Sequence, residues 1–327
     1  MPPTPDTVLR YTFAHVPARA LSTAVELDLF NHLASGPMTV EELATLAKAS
    51  ARGIRLLTDA LWSMELLERE GDKLKLSEAS EAFLVEGRPG YLGGLTRQSD
   101  MSWHSWAQLT PAVVSGTTPV PSLEGDRGEF FAAWVDALFN LNYPAAQAAA
   151  RHWAGDKTRV LDIGAGSGVW SLAAAEASPQ ARVTAVDLQP VLDRVTSVFA
   201  QKHGVEDRYE FRVGDFHTVD FGDQQFDLAY LGHILHSEGD EGCKTLLERI
   251  YRALKPGGVL VIAEMIPDFG KRGHLFPFLF GLNMLVHTHQ GDVYTREQLE
   301  TMCRQAGFTG LEWLDVPAPH PLLGATK

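Results

Sequence analysis

The stretch RVLDIGAGSGVW, residues 159–170, decides how the rest of the chain is read. An apolar, β-branched run reaches Asp162, and glycines then fall at alternate positions, Gly164, Gly166 and Gly168. Such a run is a buried strand. Glycines directly after it let the backbone turn tightly and approach a ligand, beside the amino end of the next helix. A nicotinamide-binding turn would read G-x-G-x-x-G, but the residue three after Gly166 is Val169, so that pattern fails. What stands here is D-x-G-x-G-x-G, with the acid before the glycines.

Working outward, the same period repeats. ARVTAVDL (181–188), YEFRVGDF (209–216), FDLAYLGHIL (226–235) and GVLVIAEMI (258–266) are short apolar runs. Helical stretches alternate with them: VWSLAAAEAS (169–178), PVLDRVTSVFAQKHG (190–204) and DEGCKTLLERIYRALKPGG (240–258). This alternation predicts an α/β fold, a mostly parallel doubly wound sheet whose ligands sit at the carboxyl ends of the strands. Informative residues should therefore follow each strand. The second strand closes on Asp187, where a carboxylate can accept both hydroxyls of a ribose, and Leu188 follows it. The third closes on Gly214, Asp215 and Phe216, an acceptor and a ring suited to an adenine.

The chain has 327 residues, enough for two domains, with 45% hydrophobic and 21% charged residues. Its net charge of -13 disfavours nucleic acid and anionic membranes as main partners. Two cysteines, Cys243 and Cys303, cannot build a disulfide framework. The opening residues lack a secretory pattern, and the apolar stretch 274–287 is too short and too broken to span a membrane. A cytoplasmic location is expected.

The first part of the chain, residues 1–95, reads as short amphipathic helices followed by a hairpin. Thr39 with Glu42 three residues later forms a capping box. The alternation around Gly71–Asp72 marks two strands. Helix, helix, hairpin is a winged-helix pattern. Its second helix carries Arg52 and Arg55, but Asp59, Glu65, Glu68 and Glu70 lie in or after it, a poor surface for phosphates. Residues 96–150 read as connecting helices interrupted by a Gly/Pro-rich break at 114–129, and 151–327 as the ligand-binding domain.

With these motifs in place, residues 157–315 resemble a class I S-adenosylmethionine-dependent methyltransferase with its Rossmann-like sheet. The whole chain resembles the small-molecule O-methyltransferases of plant phenolic and bacterial antibiotic pathways. The resemblance implies a homodimer formed through a mainly helical winged-helix domain, and S-adenosylmethionine as cofactor. It gives the ribose to Asp187, the adenine to Asp215 and Phe216, and the methionine end to the loop Asp162–Gly168. It also makes His236, in LHSEGDEGC (235–243), the general base. Chemistry agrees, because a phenol with pKa near 10 is a weak nucleophile until a positioned base takes its proton. His233, three residues earlier, is expected to fill core. Glu264 sits where the family carries a glutamate that orients the base, and His287 matches the family's histidine in NMLVHTHQGDVYT (283–295). A second orienting glutamate of that stretch is Val293 here.

That loss opens an alternative. His236, Glu264 and His287 are two histidines and a carboxylate, the ligand set of a facial-triad site for a divalent metal. A smaller group of the superfamily, similar in this respect, methylates the carbon of 2-oxo acids with a bound metal. Two further readings are a regulator whose sheet senses S-adenosylmethionine and a family member that no longer methylates. The substrate, a small molecule, is expected between Trp103, Trp106, Phe139, Asn140, Tyr143, Phe276, Phe280 and Met284.

Overall fold

The computed structural model describes residues 4–118, 128–270, 273–316 and 320–327; the side chains of 97–102, 128–134, 136 and 137 are not described. Most of the expected Gly/Pro-rich break, residues 119–127, lies outside the described residues. The chain divides into two compact units, Met1–Ser102 and Trp103–Lys327, so residues from 103 onward of the expected connecting segment belong to the second unit.

In the first unit the capping box forms as the residue pattern predicts: Thr39 Oγ1 accepts the Glu42 N–H at 3.3 Å, and the Glu42 carboxylate accepts the Thr39 N–H at 2.8 Å. The hairpin is β1 (Leu67–Glu70) and β2 (Lys73–Leu76), antiparallel, with Gly71 at φ +65° in the turn. Leu29, Phe30, Leu43, Ile54, Leu61 and Leu67 make a small core. The helix Asp6–Thr12 buries none of its residues, and Val8, Tyr11 and Phe13 lie exposed at its surface and end.

The second unit is built on seven strands: β3 (Arg159–Ile163), β4 (Arg182–Asp187), β5 (Tyr209–Val213), β6 (Phe226–Gly232), β7 (Leu254–Ala263), β8 (Gly310–Leu314) and β9 (Leu322–Thr326). They lie in the order β5-β4-β3-β6-β7-β9-β8. The first five are parallel, and β9 joins them antiparallel. Along β3, Val160 packs into one core with Leu172 and Tyr230, and Leu161 into the other with Leu231 and Ile250. A sheet buried on both faces explains why its strands are continuously apolar instead of alternating.

The order reverses on either side of β3, and at such a switch point the helices diverge and leave a crevice at the carboxyl edge. Register aligns the residues that border it. Ile163 pairs with both Val186 and Leu231, and Gly232 pairs with Ala263. Gly164, Asp187, His233 and Glu264 therefore emerge at one level. A short helical turn begins at Leu235 and ends at Gly239, whose backbone is not helical (φ +66°), and the long helix follows from Asp240, where it is expected. His236 sits in that short helical turn, between the end of β6 and the long helix. Among the described residues, no helix is long and apolar enough to cross a membrane.

Gly232, at the end of β6, has no room for a side chain: an added Cβ would lie 2.1 Å from Trp170 Nε1. Gly232→Ala should lower unfolding stability by about 1–3 kcal/mol in urea titrations. Adding Trp170→Leu should recover part of the loss, and an undiminished single variant would show that the indole yields without cost.

Candidate active site

The glycine loop turns back on itself because Gly164, Gly166 and Gly168 all have left-handed backbones, at φ +61°, +56° and +70°. Gly164 is the most constrained, since a Cβ there would also meet Ile234 Cδ1 at 2.4 Å. Asp187 braces the loop from the neighbouring strand. Its Oδ2 accepts the Gly166 N–H at 2.8 Å and its Oδ1 the Leu188 N–H at 2.7 Å. Each oxygen keeps a second lone pair for a ligand hydroxyl. Burial pushes the Asp187 carboxyl up to about 6, against the pull of those two amides.

Asp162 lies deeper. Its Oδ2 accepts the Ser171 hydroxyl at 2.5 Å, and Ser171 Oγ is 3.1 Å from the Tyr209 hydroxyl. Burial raises the Asp162 carboxyl to about 7, the Ser171 bonds oppose the rise, and nearby Asp187 adds to it. On the other flank, Gly214 (φ +150°) donates its N–H to the Asp187 carbonyl at 3.0 Å, which sets Asp215 and the half-buried Phe216 beside the loop.

At the end of β6 and β7, His236 and Glu264 form a buried pair. Nδ1 of His236 is 2.8 Å from Glu264 Oε2, and the His236 backbone N–H donates to Oε1 at 3.3 Å. Burial works to raise the Glu264 carboxyl. The charge and hydrogen bonds of His236, with His233 behind them, outweigh it and leave the net direction downward. A carboxylate accepts only, so Nδ1 carries the proton and the neutral ring has its lone pair on Nε2. Phe280 meets the imidazole edge-on at 4.8 Å. The Asp292 N–H donates to the His236 carbonyl at 2.9 Å and holds the first helical turn from outside.

His233 is in this site and is not core filling as expected. Its backbone is left-handed (φ +62°), a conformation in which non-glycine residues cluster at functional sites. Nε2 is 3.3 Å from Asn142 Oδ1, Nδ1 is buried without a hydrogen-bond partner, and burial lowers its pKa to about 4. The metal-capable trio among the described residues is His233, His236 and Glu264, whose ligand atoms lie within 4.8 Å of one another. His287 is not in it. That corrects the expected set of His236, Glu264 and His287. His287 is buried at the end of the helix Leu275–His287, and burial lowers its pKa.

The expected substrate residues divide. Phe280 joins His236. Tyr143 does not: its hydroxyl donates to Glu176 Oε2 at 2.6 Å and its ring stacks on Phe139 at 5.1 Å. Phe139 in turn stacks on Phe199 at 4.1 Å, so both rings cement helices away from the strand ends. Met284 is buried, Trp106 and Asn140 are half-buried, and Trp103 and Phe276 are exposed. Residue patterns missed Asn142, and also His320, which lies within electrostatic reach of Glu264 and His233. Their only signal is spatial.

With this geometry in hand, comparisons with known proteins identify the chain's relatives. Residues 152–309 match the O-methyltransferase domain and residues 9–86 the O-methyltransferase dimerisation domain. The tetracenomycin polyketide synthesis 8-O-methyl transferase of Streptomyces glaucescens is 33% identical over 97% of this chain and 95% of its own length. The N,N-dimethyltransferase OxyT of Streptomyces rimosus is 33% identical over 80% of this chain and 78% of its own. The solved structure of human N-acetylserotonin methyltransferase in complex with S-adenosylmethionine is 28% identical and superposes with TM-score 0.85, covering 98% of this chain and 97% of that one.

Because the folded state holds the Asp162 proton more tightly than the unfolded chain, that group stabilises the protein most below its ordinary value of 3.8, and the contribution is lost as pH rises through about 7. The unliganded protein should therefore melt at higher temperature as pH falls through this window. Asp162→Asn should flatten the trend, leaving the smaller share of Asp187. A variant as pH-sensitive as the parent would place the trend on other groups.

Proposed function

The chain belongs to the S-adenosylmethionine-dependent O-methyltransferase family, and from that premise we propose that it methylates a hydroxyl of an oxygen-rich aromatic intermediate of secondary metabolism, with His236 as general base. The observation that carries this is the buried contact of His236 Nδ1 with Glu264 Oε2 at 2.8 Å, which leaves Nε2 as the basic nitrogen. The aromatic acceptor class rests on likeness to the tetracenomycin relative. The family places the front unit as its dimerisation domain, and the chain works on a small molecule.

S-adenosylmethionine, when bound, supplies an electrophilic methyl on a sulfonium sulfur. In our assignment Asp162, Gly164, Gly166 and Gly168 border its methionine end. Asp187 with Leu188 takes the ribose, and Gly214, Asp215 and Phe216 the adenine. The residues present suit this, because Asp187 is a half-buried carboxylate with lone pairs to spare beside a loop where an added side chain at Gly164 would clash. His236 Nε2 takes the proton of the acceptor hydroxyl, and Glu264 stabilises the imidazolium that results. Phe280, edge-on to that ring, lines the acceptor, with Trp103, Trp106, Asn140 and Met284 as further candidates.

A divalent ion has the weaker case. His236 Nδ1 and Glu264 Oε2 already share a proton across 2.8 Å, and an ion on those two atoms would have to break that bond.

The test combines purified enzyme, S-adenosylmethionine and a panel of polyhydroxylated aromatic acceptors, with mass spectrometry to locate the added methyl. His236→Asn should cut kcat by about 10²–10⁴ while cofactor binding stays near wild type. Full activity in that variant would sink the base assignment. Turnover should withstand EDTA, and a loss on chelation that a divalent ion restores would hand the trio to a metal instead.

A further inference from the structure

We propose that His217 is a positioning residue of the cofactor site: it ties Asp215 to Glu238 on the helical turn that carries His236, and the site holds S-adenosylmethionine and its demethylated product more tightly while that bridge is intact. The proposal rests on Asp215 belonging to the cofactor site.

Nδ1 of His217 is 2.5 Å from Asp215 Oδ1, and Nε2 is 2.6 Å from Glu238 Oε2. Both acceptors are carboxylates, which donate nothing when ionised, so both ring nitrogens must carry protons and the bridge needs the imidazolium. Asp215 Oδ1 also accepts the His217 backbone N–H at 2.8 Å. That oxygen is bonded twice within its own loop, which fixes the carboxylate plane and the direction of Oδ2. At the other end, the Glu238 side chain is only 7% exposed, and its Oε1 accepts the Ser237 hydroxyl at 2.9 Å. Ser237 directly follows His236. A nearly buried carboxylate wants a cation, and His217 provides one.

The long helix that follows Gly239 grips the same loop a second time. Arg249 Nη1 donates to the carbonyls of Phe216 at 2.5 Å and His217 at 2.8 Å, and Nη2 donates to that of Val219. Arg249 keeps its charge at every working pH, whereas His217 does not. The charged groups facing His217 are Asp215 from its own loop, Glu238 from the helical turn and Arg249 from the long helix. Burial opposes charge on the imidazole, but Glu238 and then Asp215 outweigh it and raise its pKa above the ordinary value of 6.5. The sign follows. Below that raised pKa the bridge is whole. As pH rises through it, the neutral ring can donate from one nitrogen only, one carboxylate loses its donor, and Asp215 is freed from its fixed orientation.

Calorimetric titration of the full-length protein with S-adenosylhomocysteine tests this without knowing the methyl acceptor. Over about pH 6–9 the wild-type Kd should rise about threefold to tenfold toward the alkaline end. Where the Kd rises, binding should take up protons, visible as heats that depend on the buffer. His217→Gln should bind about as weakly as wild type at high pH, with a flat profile and no proton uptake. Glu238→Gln should shift affinity in the same direction and covers the case of a His217 variant that fails to fold. A flat wild-type profile, or a folded His217→Gln variant that keeps the wild-type Kd and slope, overturns the proposal. Absence of binding at any pH removes the cofactor site itself and the proposal with it, an outcome distinct from binding that ignores pH.

Discussion

A carboxylate as completely enclosed as Glu264 cannot stay ionised on its own. Taking it out of water costs several kcal/mol, recovered only by close donors or a positive partner. His236 supplies two such donors, its ring Nδ1–H and its own backbone N–H. The demand runs in both directions: Glu264 needs the histidine to remain charged, and the histidine is held in one tautomer and one orientation by Glu264. Two parallel strands must end side by side for this to happen, and the pairing of Gly232 with Ala263 does that. The site is a consequence of register.

Around that pair the backbone is bent where the chemistry is crowded. His233 holds a left-handed conformation between the end of β6 and the start of the helix, and the chain beside it must slip past Trp170, which leaves Gly232 no space for a Cβ. The helical turn that begins at Leu235 gives His236 a regular backbone, with Leu235 buried in it and Cys243 and Leu246 buried on the long helix that follows. The kink at Gly239 lets the first turn aim differently from the rest of the helix, and a Cβ there would come within 2.9 Å of the Gln290 side chain.

The parts that residue patterns revealed are those whose cause is local. A glycine with a left-handed backbone after an apolar run, an acid at a strand end and a capping box each act over a few residues, so the sheet, the glycine loop and Asp187 could be read directly. His236 was legible because the family resemblance marked it. What escaped depends on contacts between distant segments. Asn142 meets His233 across 91 residues, and Glu238 meets His217 across 21, with nothing in either neighbourhood to announce it. Tyr143 shows the opposite error. An aromatic residue before the sheet looks like a pocket wall, but Glu176 draws its hydroxyl to the far end of a helix, and Phe139 follows by stacking. The expected metal set failed for a similar reason. His287 comes at the end of its own helix, and helix direction, which spacing does not encode, leaves His233 nearer the carboxylate.

The absence of a second glutamate at Val293 then has a physical account. The proposed base needs its proton-bearing nitrogen fixed, the charge it would gain compensated and its backbone held. Glu264 does the first two and, through the His236 N–H, part of the third. The rest falls to the turn that carries Val293. Asp292 donates its N–H to the His236 carbonyl at 2.9 Å, and Gly291 approaches so closely that a Cβ would lie 2.5 Å from the same oxygen. Thr288 stiffens that turn by accepting the Gly291 N–H at 2.8 Å while donating to the Met284 carbonyl. Where the resembling family carries a second carboxylate, this chain has a main-chain clamp, which carries no charge to desolvate. In this arrangement one buried carboxylate and a backbone clamp together hold His236.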